Sequence, residues 1–245
     1  MDDSDISSSV PPERAGPDRR DRVLHAARET VLRLGYDKAG LRDIAARAGL
    51  SKSAVYLDFA SKEALVDELI RSESVAFATE LFAAADGDAR RTAGEASGTG
   101  PPSGFGPLFA HTIAMLQRHP FLRSLLAGDE GLLGAYVRRH RGRFLAARSA
   151  LNRALLELLR RHGRLRAGVD VDAATPLLTM LAIGYVETPS GVAGDRAGTV
   201  LEEMGRLLDA WLLDDGAPAF APGELPALLR GVLAAAAEGT SEARP

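Results

Sequence analysis

The sequence predicts an all-α protein, with a three-helix head at the N-terminus and a larger helical bundle behind it. Three observations predict this. No segment alternates polar and apolar residues as a half-buried strand would. Ala, Leu and Arg dominate while aromatics supply only 5% of the chain, a mix that favours helix over strand. Apolar residues recur at helical spacing, in runs closed by glycine, proline or a capping serine or aspartate. With 245 residues, 46% of them hydrophobic, there is material for one large or two modest domains.

In chain order, residues 1–17 are rich in Asp, Ser and Pro and read as a disordered tail. Asp18 can cap the first helix, with Asp21 in its first turn. Val23, Ala27, Thr30, Val31 and Leu34 form its apolar face. Gly35 stops it and Tyr36 packs over its end. Arg19, Arg20 and Arg22 lie at its start, where they either reach phosphates or form a solvated basic end. Leu41, Ile44, Ala45 and Ala48 face a core from a second, short helix. Gly49 follows where a helix C-terminus needs positive φ, and Ser51 can cap a third helix. That helix carries Lys52, Ser53 and Tyr56 outward and Val55 inward, and Phe59 closes it. Two short helices around a glycine turn form a helix-turn-helix, whose second helix enters a DNA major groove. A fourth helix opens at Ser61 and runs through Leu65, Val66, Leu69 and Ile70 towards Phe82.

Residues 86–106, dominated by Gly, Pro, Ser and Thr, read as a flexible loop. It is either an inter-domain linker or an insertion between two helices. Helices are then expected over Pro107–Arg118, Pro120–Leu126 and Leu132–Arg161. The break at His119-Pro120 follows from the aversion of pre-proline residues to helix. Phe144, Ala147, Leu151, Leu155 and Leu158 mark one stripe of the long helix. Asp172 can cap the next, which runs through Leu177, Leu178, Leu181 and Tyr185 to Pro189. After a loop over Ser190–Gly194, Asp195 opens a helix through Val200, Met204, Leu207, Leu208 and Trp211 that ends at Gly216. A last apolar segment, Leu225–Ala237, is helix-like, and residues 239–245 read as a second disordered tail.

The run from Val23 to Ile70 resembles the DNA-binding domain of the tetracycline-repressor (TetR) family. The matching residues are Ala26-Ala27, Gly35-Tyr36, Asp43-Ile44-Ala45, Ala48-Gly49, Ser51-Lys52, Val55-Tyr56, Phe59 and Ser61-Lys62-Glu63. The resemblance implies a helix-turn-helix DNA-binding domain over residues 18–78. A ligand-binding and dimerisation domain would follow over 79–238. It implies a DNA-contacting set of Gly40, Leu41, Arg42, Ser51, Lys52, Ser53, Tyr56 and Lys62. Tyr56 and Lys62 would meet phosphates, and Lys52 and Ser53 base edges. Three positions depart from the family pattern. Gly40 stands where a capping threonine is usual, Leu57 where an aromatic is common, and Asp58 where an aromatic or histidine is common. A carboxylate at Asp58 would repel phosphate or accept from cytosine N4.

The implied function is sequence-specific transcription regulation by a cytoplasmic homodimer, a repressor released from double-stranded operator DNA by a small apolar effector. Candidate effector-lining residues are His111, Met115, Phe121, Tyr136, Phe144, Met180 and Tyr185, each equally at home in plain core. The dimer would form through helices at about 172–188 and 195–214, where Ala182 and Gly184 allow close approach. It would present two recognition helices about one DNA turn apart, ~34–36 Å. Two rivals are a helix-turn-helix regulator controlled by a partner protein and a helical-bundle enzyme. The enzyme is disfavoured because the chain has no phosphate loop, serine elbow or clustered histidines.

The chain has no cysteine, which excludes disulfides, thiol catalysis and cysteine zinc sites. No histidine pair has the spacing of two ligands on one helix face, so no metal or other cofactor is expected. No window is apolar enough to span a membrane, and the N-terminus is unlike a signal peptide. The net charge of −3 is not that of a basic nucleic-acid binder. Between Arg19 and Lys62, however, basic residues outnumber acidic ones, and local charge governs DNA approach.

Overall fold

The computed structural model describes residues 17–92, 104–188 and 194–217, and residues 221, 224, 227, 228, 230 and 231 near the C-terminus. The two expected tails and most of the helix-like segment Leu225–Ala237 lie outside the described residues. Two compact units divide between Leu69 and Ile70. The first unit holds α1 (Pro17–Leu34), α2 (Leu41–Ala48), α3 (Lys52–Asp58) and the start of α4 (Lys62–Thr92). The second holds the rest of α4, α5 (Phe105–Gln117), α6 (Pro120–Ala127), α7 (Glu130–Arg161), α8 (Val171–Glu187) and α9 (Ala197–Leu212). A 3-10 turn, Gly194–Arg196, leads into α9. Among the described residues the only β-like pairing is a single antiparallel bridge between Leu165 and Leu213. The all-α expectation therefore holds.

The head is built by local signals. Gly35 takes φ 76° and closes α1, its N–H donating to the Val31 carbonyl at 2.8 Å. Gly49, at φ 70°, ends α2 with its N–H on the Ala46 carbonyl. The Leu50 N–H reaches back to the Ala45 carbonyl at 2.9 Å, completing a Schellman closure. The Ser51 hydroxyl accepts from the Ala54 N–H at 3.1 Å and starts α3. The Ser61 hydroxyl accepts from the Ala64 N–H at 3.0 Å and starts α4. The apolar faces of all four helices meet at Val23, Ala27, Val31, Ile44, Val55 and Leu65, each fully buried. Leu34, expected on that face, lies half-exposed at the helix end. α1 begins at Pro17, so Asp18, the expected cap, falls in its first turn.

The body departs from expectation in several places. The helix from Lys62 persists to Thr92 and α5 starts at Phe105, so the loop expected over 86–106 is helical at its start and its end. Residues 93–103 lie outside the described residues. α7 begins at Glu130, earlier than Leu132, because Asp129 caps it by accepting from the Gly131 and Leu132 N–H groups. It is kinked at Gly134, whose φ of 49° and ψ of −133° suit glycine alone. Its C-terminal half buries Asn152, Leu156, Leu158 and Leu159; of the expected stripe Leu158 is buried and Leu155 packs on the core, while Ala147 is exposed. Asp170, not Asp172, caps α8. α9 begins at Ala197 after the 3-10 turn and ends at Leu212, where the Leu165–Leu213 bridge takes over, rather than running to Gly216.

The body core gathers Phe109, Ile113, Leu156, Leu178, Leu208 and Leu212. Its closest helix contact is α5 on α9. A Cβ built on Gly106 would lie 1.9 Å from the Gly205 carbonyl oxygen, so only glycine lets these backbones touch. Asp209 on α9 then reaches the open end of α5 and accepts from the Gly106 N–H at 2.6 Å. Burial raises the Asp209 pKa, and the bond from Gly106 opposes the rise.

Candidate nucleic-acid interface

The outer face of α3 follows from its own sequence. Val55 points into the head core, fully buried. Lys52, Ser53, Tyr56 and Leu57 then fall on the opposite side, and all four are exposed. Leu57 is 80% exposed, an apolar side chain that nothing in the head covers. The Lys52 ammonium sits 5.6 Å from the centre of the Tyr56 ring, so cation and phenol share one patch. Arg42, on α2, is also exposed.

The remaining residues of the expected set have other duties. Leu41 is buried at the start of α2. Ser51 is exposed and spends its hydroxyl on the α3 cap. Gly40 is the N-cap of α2 at φ −93° and offers no side chain. Only half a capping box exists there, the Asp43 carboxylate accepting from the Gly40 N–H at 3.1 Å. Lys62 is folded inward over the Tyr36 ring, 4.1 Å from its centre, and donates to the Tyr36 carbonyl at 2.5 Å. It ties the start of α4 to the turn after α1.

Asp58 presents no bare carboxylate. Arg19 grips it with two parallel bonds, Nε to Oδ2 at 2.9 Å and Nη2 to Oδ1 at 2.6 Å. The placement is physically sensible. Asp58 is the last residue of α3, at the negative end of its dipole, where a carboxylate is unfavourable. Arg19 lies in the first turn of α1, where a cation is unfavourable, and the pair offsets both. The Asp58 carboxylate, expected to face phosphate or cytosine, is engaged in an interhelical tie. Arg20 stacks over Phe59 at 4.7 Å and pairs with Glu68 at 3.4 Å, so two of the three arginines that open α1 hold the head together. Sequence reasoning missed this because Arg19 and Asp58 are 39 residues apart.

The expected effector set does not converge. His111 lines an open groove of about 550 Å³ between α5 and α9, beside Ala110, Leu201, Glu202 and Arg206. Met115, Phe121 and Tyr136 are closed core. Phe144 lines a separate cavity between α6, α7 and α8. Met180 faces outward, 65% exposed. The Tyr185 hydroxyl donates to the Ala197 carbonyl at 3.3 Å, and burial raises its pKa. Of the residues lining that cavity only Phe144 was expected; the others include Arg141, Arg148 and Ile183. A signal was available for Arg148, which shares the helical register of buried Asn152, Leu156 and Leu159.

A three-helix head whose exposed short helix follows a glycine turn is a DNA-binding helix-turn-helix domain, here carried on an all-helical body. Residues 23–69 match the family model described as bacterial regulatory proteins, tetR family. Residues 23–69 thus form a DNA-binding domain like that of this family. A TetR/AcrR family transcriptional regulator from Thermobifida fusca is similar at 26% identity and TM-score 0.50, over 78% of this chain and 97% of that one. Salmonella enterica GusR shares the fold at 21% identity and TM-score 0.52, over 79% of this chain and 95% of its own. NalD of Pseudomonas aeruginosa, the secondary repressor of the MexAB-OprM multidrug efflux pump, shares it at 19% identity and TM-score 0.50, over 80% and 98%. No curated protein matches by sequence. No helix among the described residues is long and apolar enough to cross a membrane.

Proposed function

We propose that the protein is a homodimeric repressor that reads an inverted-repeat operator and leaves it when an effector binds the body. The observation that carries the DNA half is the outer face of α3, with Lys52, Ser53 and Tyr56 exposed together while Asp58 is neutralised by Arg19. Lys52 and the Tyr56 hydroxyl are suited to phosphates and Ser53 to a base edge. Lys62 acts by holding the turn at Tyr36 rather than through a phosphate.

The dimer half rests on two outward stripes. α9 exposes Val200, Leu207 and Trp211 at helical spacing, with Leu207 70% exposed. α8 exposes Leu177, Met180 and Leu181. Gly184 is exposed beside them with nothing near its missing Cβ, whereas Ala182 packs inward, fully buried, and takes no part. Apolar stripes on two helices are what a second copy would bury. Effector release requires only that the ligand bind the non-DNA-binding conformation more tightly.

The test is capture of genomic fragments by the purified protein across a salt series, with the bound fragments sequenced. An inverted repeat is the expected product, and Tyr56→Phe should weaken its binding about evenly across sequences. Leu207→Arg should give a monomer in sedimentation and lose the inverted repeat. Binding that is blind to sequence, or a Leu207→Arg protein that stays dimeric, sinks the corresponding half.

A further inference from the structure

On α7, the helical register of buried Asn152, Leu156 and Leu159 also contains Arg148 and, one heptad earlier, Arg141. A guanidinium on a core-facing stripe is costly unless paired. Arg148 lacks any carboxylate partner among the described residues, and its Nε is sealed from solvent with no hydrogen-bond partner. Burial alone lowers its pKa. Arg141 is exposed at the cavity rim and likewise has no ion pair among the described residues; its guanidinium packs against Gly128 at the α6–α7 corner. Both arginines line a cavity of about 30 Å³ whose other walls include Leu125, Phe144, Leu145 and Ile183. That volume admits about two water-sized groups, the size of a carboxylate head. Leu145, at its edge, is partly exposed.

We infer that this cavity is an anion subsite, in which Arg148 and Arg141 take the carboxylate of a small molecule whose apolar body extends out of the cavity over the exposed Leu145. The inference rests on the proposal that the body binds an effector, and gives that effector an acidic head. Physically, the unmet Nε–H is a donor awaiting an acceptor, and a guanidinium fork meets a carboxylate with two parallel bonds. The apolar lining strengthens the attraction by excluding water.

The test is thermal unfolding and calorimetric titration of the full chain with octanoate, using octanol as the neutral counterpart, on the parent, Arg148→Met and Arg141→Met. Octanoate should raise the Tm of the parent well above the effect of octanol. Each substitution should weaken octanoate about tenfold or more and leave octanol unchanged. Without ligand, Arg148→Met should unfold at the parent temperature or higher, because it removes a partly buried guanidinium whose sealed Nε has no acceptor. An arginine serving only the fold predicts a lower one. No octanoate binding, an equal response to octanol, or full octanoate affinity in both variants overturns the inference. The same titrations on operator-bound protein separate it from the effector reading. Arg148-dependent octanoate binding that leaves the DNA bound keeps the subsite and sinks ligand release. Release by octanol alone does the reverse.

Discussion

The head and the body end their helices by different means. In the head, each turn is closed by residues within a few positions of the helix it terminates: Gly35, Gly49, Ser51 and Ser61. In the body, some ends are closed from far away. Asp209 on α9 satisfies the first turn of α5 from 103 residues off. Arg164 and Glu224 pair across 60 residues, and the Leu165–Leu213 bridge holds the end of α9. The head's buried Thr30 bonds within its own helix, whereas in the body the buried Asn152 amide donates to the Thr179 hydroxyl at 2.9 Å between α7 and α8. A module that must present one helix to DNA benefits from local, self-sufficient ends. The body is instead specified by contacts between distant helices.

The sharpest way to break the body is Gly106→Ala. The added methyl would meet the Gly205 carbonyl, a backbone atom that cannot rotate away. A loss of about 3 kcal/mol in urea unfolding is expected, with α5 forced off α9. A loss under about 1 kcal/mol would show that the two helices slide apart cheaply. In the head, Ser51→Ala removes the cap of α3 and should cost about 1 kcal/mol. Operator affinity should fall with it, since the outer face of α3 is only as well placed as the helix is formed.

With Lys62–Tyr36 and Arg20–Glu68, the Arg19–Asp58 pair is a long-range tie in a locally capped unit, and a double-mutant cycle measures it. Both side chains are partly buried, 29% and 15% exposed, and solvent screening trims the coupling to about 1 kcal/mol. A cycle that closes to zero would mean the pair positions nothing.

The smallest effect concerns pH. Burial raises the Asp209 pKa, so folding favours its protonated form. Its favourable contribution is complete below the ordinary Asp range and is lost as pH rises through the raised value. Asp209→Asn keeps an acceptor for the Gly106 N–H without the charge. At neutral pH it should be as stable as the parent or slightly more so, and the advantage should fade on acidification. Urea unfolding at both ends of that range decides it, and a variant less stable at neutral pH would show that the ionised carboxylate is needed at the start of α5.

The sequence by itself determined the all-α class, the register of α1 to α3 and the exposed face of Lys52, Ser53 and Tyr56. Each depends on residues within one or two turns of one another, through φ at glycine, a capping hydroxyl and helical period. Tertiary structure decided the partners of Arg19, Asp58 and Lys62, because charges read from a sequence as DNA contacts meet groups on another helix or in the turn after α1. It also decided which apolar residues are core and which are surface. Ala182 and Met180 sit two positions apart on α8, yet one is sealed in the body and the other faces out. Only packing tells such faces apart, since both stripes of α8 are apolar. The same holds for Arg148, where the register places the arginine inward but only the folded helices show that no carboxylate meets it there.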